Sequence, residues 1–343
     1  MIGTLRTILA LMVALSHMPK IGISFNVGVV AVVFFYFLSG MLMARSYENF
    51  RKYDRYPALM FWLDRTIRIW PAFAAALFIT VLVVKLYGSH IVSWPVPDIT
   101  RHNIIQNLYV ARLNGVIFGH IPNIVWSAWS LGSEVQFYAV TPLLLILPFP
   151  AVAAIAFASL GFQVHSYYIE NLDMAGYWAL RTCYGTFYLY CMGVCYARRA
   201  DIRYAGLLGA LVVSQLALML VFYPFFRPFM VPSVMEISFG AMVVAPVVGF
   251  AEGFKSKLWD IWDHRIGSLS YPIFLCHLIG FYLADTFYPG GVASKHWVLF
   301  SMGSCLVMSI AMHWLIEVPA ERLRYWIRGF RSTQTNAVVP VSP

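Results

Sequence analysis

The chain has 343 residues, 60% of them hydrophobic and only 11% charged, with a mean hydropathy of +0.71. A soluble domain carries about 25% charged residues, so the medium around most of this chain is lipid. The formal charge of +9 does not point to nucleic acid, because Lys and Arg sit between apolar segments rather than on one amphipathic or aromatic-interleaved face.

A membrane span needs about 20 mostly apolar residues, and fewer inside a bundle. On that basis ten helices are predicted, approximately Leu5–Met18, Val27–Ala44, Ile69–Val84, Ile124–Leu147, Ala151–Tyr167, Tyr177–Ala197, Tyr204–Tyr223, Val231–Phe250, Ile266–Ala284 and His296–Ile316. The first could pass for a signal-peptide core, but no A-x-A-like site follows and a second apolar run begins almost at once, so it is read as a retained helix. The segment Gly88–Asn123 carries His90, Trp94-Pro95-Val96-Pro97, His102 and His120, and its weakly apolar middle suits a dip back into the bundle. No polar stretch is long enough for a second core, so residues 1–331 are read as one transmembrane domain and 332–343 as a disordered tail. No internal repeat is visible.

With both termini in the cytoplasm, all but seven of the 24 basic residues fall on the inner side. The exceptions are Lys20, Lys85, Arg101, Arg112, Arg181, Arg227 and Lys295. This positive-inside bias favours an all-α bundle of about ten helices with both ends inside. The five cysteines, Cys183, Cys191, Cys195, Cys276 and Cys305, all lie in apolar segments with no C-x-x-C and no histidine at ligand spacing. They are read as buried free thiols, and no metal site is expected.

A central charge in a span costs about 2.5–3.5 kcal/mol on insertion scales, so each intramembrane ionisable group is a site candidate. Arg6 and His17 are eleven residues apart, about three helical turns, and so share a face with a rise of about 16 Å between them. The competing reading makes Arg6 a headgroup anchor and His17 a partner for a neighbouring carbonyl, and spacing alone does not separate the two. Arg65 and Arg68 share a face at the start of the third span and suit phosphate, although as a lone feature this is weak, since topology anchoring explains most such pairs. Glu134 lies in the aromatic-rich WSAWSLGSEVQFYAV, where an acid has little reason to stand unless paired or catalytic. His277 reads as an interhelical hydrogen-bonding group, His313 and Glu317, four residues apart, as pairing with each other or with Arg322, and Arg181 and Glu236 as further buried-charge candidates most simply explained as an intramembrane ion pair.

Taken in order, several motifs resemble the acyltransferase-3 family of membrane acyltransferases, which acylate cell-surface and secreted carbohydrates. They are the R-x10-H of Arg6 and His17, FFYFLSG ending at Ser39-Gly40, RTIRIWP with Arg65, Arg68 and Pro71, WSLGSEVQFY with Trp129, Glu134 and Tyr138, SYPIFLCH with His277, and EVPAERL with Glu317 and Pro319. The sequence departs from the pattern at Thr7 and Leu9, where small residues are usual, and in having only valines where an acid often precedes the FF pair. The resemblance implies a stand-alone O-acyltransferase of a bacterial inner membrane, with acyl-CoA, most commonly acetyl-CoA, as co-substrate and no tightly bound cofactor. It implies His17 and Glu134 as catalytic groups, Arg6, Arg65 and Arg68 as donor-binding groups, and Ser39, Trp129, Tyr138 and His277 as further candidates. The acceptor it implies is a lipid-linked or nascent glycan. A sugar hydroxyl is a weak nucleophile near neutral pH and needs a positioned base, a role His17 suits, or His17 carries the acyl group itself. The rival class is a secondary transporter using the same His, Glu and Arg groups as a relay, against which the missing repeat argues. A non-catalytic scaffold for glycan assembly is a third reading.

Overall fold

A computed structural model describes residues 1–18, 25–91, 93, 95–118, 123–169, 179–226, 234–254, 256–288, 291–292 and 294–336. The chain is all-helical over these residues. The helices are α1 (Ile2–Ser16), α2 (Val27–Tyr53), α3 (Pro57–Tyr87), α4 (Arg101–Leu108), α5 (Trp129–Ile146), α6 (Phe149–Ile169) and α7 (Cys183–Ala197). They continue as α8 (Ile202–Phe226), α9 (Val234–Gly253), α10 (Lys257–Gly267), α11 (Ser270–Phe287), α12 (Lys295–Met312) and α13 (Val318–Asn336). Their starts follow capping chemistry. Side-chain oxygens of Asn26, Thr100, Thr182 and Ser294 accept first-turn N–H groups of α2, α4, α7 and α12, and Pro57 stands in the first turn of α3.

Helix α2 is the hub, with α1, α3, α5, α7 and α9 packed around it. Lipid supplies no hydrophobic force between helices, so close approach depends on small residues. Gly40 of α2 meets α7 where a Cβ would stand 2.0 Å from the Tyr190 carbonyl oxygen, and Gly193 of α7 meets α2 where one would stand 2.0 Å from that of Phe37. Both obstacles are backbone, which cannot swing aside. Gly193→Val is therefore expected to force the two helices apart and destabilise the fold by at least about 1–3 kcal/mol, the usual cost of overpacking. A thermal melt of the variant in detergent that matches the parent would contradict this packing.

Among the described residues six helices are long and apolar enough to cross a membrane, or seven if α10 and α11, bent by 42° at their junction, form one span. Their outer faces carry exposed Phe78, Leu220, Leu299 and Val307, as lipid contact requires. The ten predicted spans do not all reach that length: α1 and α7 have 15 residues each, about 22 Å of rise against a hydrocarbon core of about 30 Å. At the other extreme, α2 and α3 run well beyond the predicted spans, to 27 and 31 residues. The last predicted span also continues, through a π-helical turn at His313–Glu317 into α13, which reaches Asn336 inside the segment read as tail; residues 337–343 lie outside the described residues.

In the segment before α5, a 3₁₀ stretch at Val110–Phe118 lies against α5, pinned by Asn114 Nδ2 donating to Gln136 Oε1 at 3.0 Å. Trp94 and His120, singled out in the sequence, lie outside the described residues. One end of the bundle is rich in paired charge. There Arg198 meets Glu48, Arg45 meets Glu252, and Asp263 of α10 accepts the Gly3 and Thr4 N–H groups that open α1.

Candidate active site

Near that charged end, α1, α2, α3, α5, α11 and α13 enclose a cavity of about 460 Å³. Arg6, Arg45, Arg65, Arg68 and Arg324 line it, and Glu134 is the only carboxylate among the described residues that line it. Three of these arginines have fixed partners. Arg45 pairs with Glu252, and Arg65 and Arg324 share Asp64. The guanidiniums of Arg6 and Arg68, by contrast, make no hydrogen bond or ion pair among the described residues, and Arg65 Nε is buried without a partner. Half-buried guanidiniums with unmet donors are costly to hold, so the cavity is poised for an anion. The three-residue spacing of Arg65 and Arg68 brings both to this wall, and Arg6 reaches it from α1.

The same cavity gathers Ser39, Glu134 and Tyr138. Ser39 Oγ donates to Glu134 Oε1 at 3.3 Å, and the Tyr138 hydroxyl, four residues on from Glu134 along α5, donates to the same oxygen. This spacing puts acid and phenol on one helical face, and the serine arrives from α2. Glu134 is thus fixed in the cavity that the arginines also line. The structure does not bring it into hydrogen-bond contact with His17.

His17 stacks instead on His277, with ring centroids 5.2 Å apart and planes inclined by 27°. His17 Nδ1 lies 2.9 Å from the Val13 carbonyl and His277 Nδ1 lies 2.9 Å from that of Phe274. A carbonyl only accepts, so each Nδ1 carries a proton, and in the neutral form of either ring the lone pair lies on Nε2. His277 is fully buried and its Nε2 has no partner among the described residues. The pair stands one layer behind the cavity, joined to it through Phe274, whose carbonyl also accepts from Ser127 Oγ. Trp129 lies apart from this wall, with the Arg181 guanidinium 5.2 Å from its ring centroid.

The acyltransferase domain family model matches residues 2–315, nearly the whole chain and every motif named above up to His277. The chain belongs to the acyltransferase-3 family. Compared with curated proteins and with solved structures, it finds no match. Family membership makes the protein a multi-pass membrane acyltransferase, and the cavity and the histidine pair are the places in it where the motif residues converge.

The remaining charged groups of this acyltransferase divide between partners that the sequence suggested and others that it did not. Glu236 accepts the Asn26 N–H at 2.9 Å while Arg181 sits over Trp129, so the two are not an ion pair. His313 Nδ1 does meet Glu317 Oε2, at 3.1 Å, and both face a second chamber of about 440 Å³ next to the first. Asp64 and Arg324 went unremarked as site residues: Asp64 reads as one more charge before RTIR, and Arg324 stands beyond the last predicted span. Of the cysteines, Cys183 is half-buried and the other four are buried, all as free thiols. Among the described residues no cluster of His, Cys, Asp or Glu is arranged to hold a metal.

Proposed function

We propose that this acyltransferase takes an acyl group, most simply acetyl, from cytoplasmic acyl-CoA and moves it to a hydroxyl of a cell-surface or exported glycan. The observation that carries the donor assignment is the cavity itself, where two guanidiniums without partners and a third with a free Nε face a single carboxylate. Acyl-CoA is a polyanion, and forked guanidinium donors suit its phosphates. The topology in this reading has about ten membrane-embedded helices with both termini cytoplasmic, in a bacterial inner membrane. Short helices such as α1 and α7 are then enclosed by longer ones, and the charged end faces the donor.

The chemistry falls to His17. Its Nε2 takes the proton of the acceptor hydroxyl as the oxygen attacks the thioester carbonyl, and the tetrahedral intermediate collapses to expel the CoA thiolate, which leaves as the thiol with the proton returned from the imidazolium. The Nδ1–H bond to the Val13 carbonyl fixes that tautomer, and His277 packs against the ring that must carry the charge. Glu134 holds Ser39 and Tyr138 and moderates the positive field around the donor. If His17 instead carries the acyl group, the same Nε2 is the nucleophile.

The decisive experiment incubates the purified protein with radiolabelled acetyl-CoA and candidate glycans. Labelled glycan with matching release of free thiol supports the reading, and thiol release with no acceptor labelled, or no thiol release at all, overturns it. Donor docking has its own check in Arg65→Lys and Arg68→Lys, which keep the charge but lose the planar fork. Each is expected to weaken acyl-CoA binding by about 1.5–3 kcal/mol, one to two decades in a direct titration, with expression unchanged. Donor binding equal to the parent in both would reduce them to topology anchors.

A further inference from the structure

Arg324 belongs to α13, beyond residue 315 where the family match stops, yet it lines both chambers. Its side chain is only 12% exposed and forks onto Asp64, with Nε donating to Oδ1 at 2.9 Å and Nη2 to Oδ2 at 3.0 Å. That fork leaves Nη1 without a hydrogen bond among the described residues. Two other guanidiniums line both chambers, those of Arg6 and Arg68, and Ser270 and Tyr271 complete the shared boundary.

We propose that Arg324 is a phosphate-binding residue of the donor site: α13 straps across the boundary between the chambers, and Arg324, aligned by Asp64, joins Arg6 and Arg68 in a collar for the diphosphate of acyl-CoA. This rests on the donor reading above and adds a residue to it. Charge fits the assignment. Around the first chamber Arg6, Arg65, Arg68 and Arg324 outnumber Asp64 and Glu134, while Arg45 is matched by Glu252, so the excess there is positive. The boundary is also the better of the available positions. The second chamber is lined by Asp260, Asp263, Glu317 and Glu321, which repel a polyanion from its floor, so the collar is where phosphate meets excess positive charge. Orientation matters as much as charge, since the Asp64 fork holds the guanidinium plane and removes the need to order it when the ligand arrives.

The test compares CoA with pantetheine, which lacks the phosphates and the nucleotide, by direct titration of the full-length protein and of its Arg324→Lys and Arg324→Gln variants. The parent is expected to bind CoA far more tightly than pantetheine. Both variants are expected to lose about tenfold or more in CoA affinity, with Gln worse than Lys, while pantetheine binding stays at the parental value. Retained pantetheine binding shows that the variants are folded. Variants that bind CoA as the parent does overturn the proposal, and so does an equal loss for both ligands, which marks Arg324 as scaffold only. A parent that does not prefer CoA to pantetheine overturns the donor reading itself, and that result is visible before any variant is made.

Discussion

His17→Ala is expected to abolish acyl transfer while leaving insertion, folding and donor binding intact. The ring is held from two sides, by its Nδ1–H on the Val13 carbonyl and by the His277 stack, so its Nε2 is a base of fixed direction. General-base catalysis typically contributes about 10²–10⁴-fold, and for a hydroxyl attacking a thioester little rate survives without it. The donor arginines line a separate wall, one layer away past Phe274, so a CoA titration on the variant should overlay the parent. That split, turnover lost with donor affinity kept, is what an assay of the purified variant has to find. Transfer at a normal rate would end the assignment of His17 as the reacting group, and a joint loss of transfer and donor binding would place it in the donor site instead.

The parts of this site that follow a helix period were legible in the sequence. Arg65 with Arg68, and Glu134 with Tyr138, are three or four residues apart, and each pair does share a face and a cavity. Arg6 with His17 is legible as a face, but the structure separates their surroundings, giving Arg6 to the cavity and His17 to His277. What could not be read were contacts between segments far apart in the chain. Ser39 reaches Glu134 across 95 residues and Arg324 reaches Asp64 across 260, and no spacing rule encodes either. The same limit explains Arg181 and Glu236, which composition alone pairs by charge but tertiary packing sends to an indole and a backbone N–H. Helix ends were misjudged for a different reason. Hydropathy marks where lipid contact stops, whereas α2 and α13 continue as helices into polar surroundings because Arg, Lys, Glu and Gln favour helix as strongly as Leu does.

Asp64→Asn is expected to be the most destabilising single substitution near the cavity. Asp64 is 5% exposed and is the shared counter-charge of Arg65 and Arg324, whose side chains are 9% and 12% exposed. Asn keeps the shape but removes the charge, and turns one accepting oxygen into an amide that points its own donors at a guanidinium. Breaking a buried pair by removing one partner costs about 3–5 kcal/mol, because the remaining charge is left uncompensated, and here two charges are left. Combining Asp64→Asn with Arg324→Gln removes one of those orphans, so the double variant should be more stable than the single one, a non-additivity reserved for groups in contact. The donor adds a sharper discriminator. A ligand that binds only the folded state stabilises it in proportion to the logarithm of its concentration over its Kd, and phosphates would now supply the counter-charge that Asp64 no longer gives to two buried guanidiniums, a gain larger than the ordering lost with the fork. CoA should therefore raise the thermal midpoint of Asp64→Asn by more than it raises that of the parent. A variant that melts with the parent would show the triad to be energetically idle, and one that melts early but gains no more from CoA than the parent would show that these arginines do not face the donor.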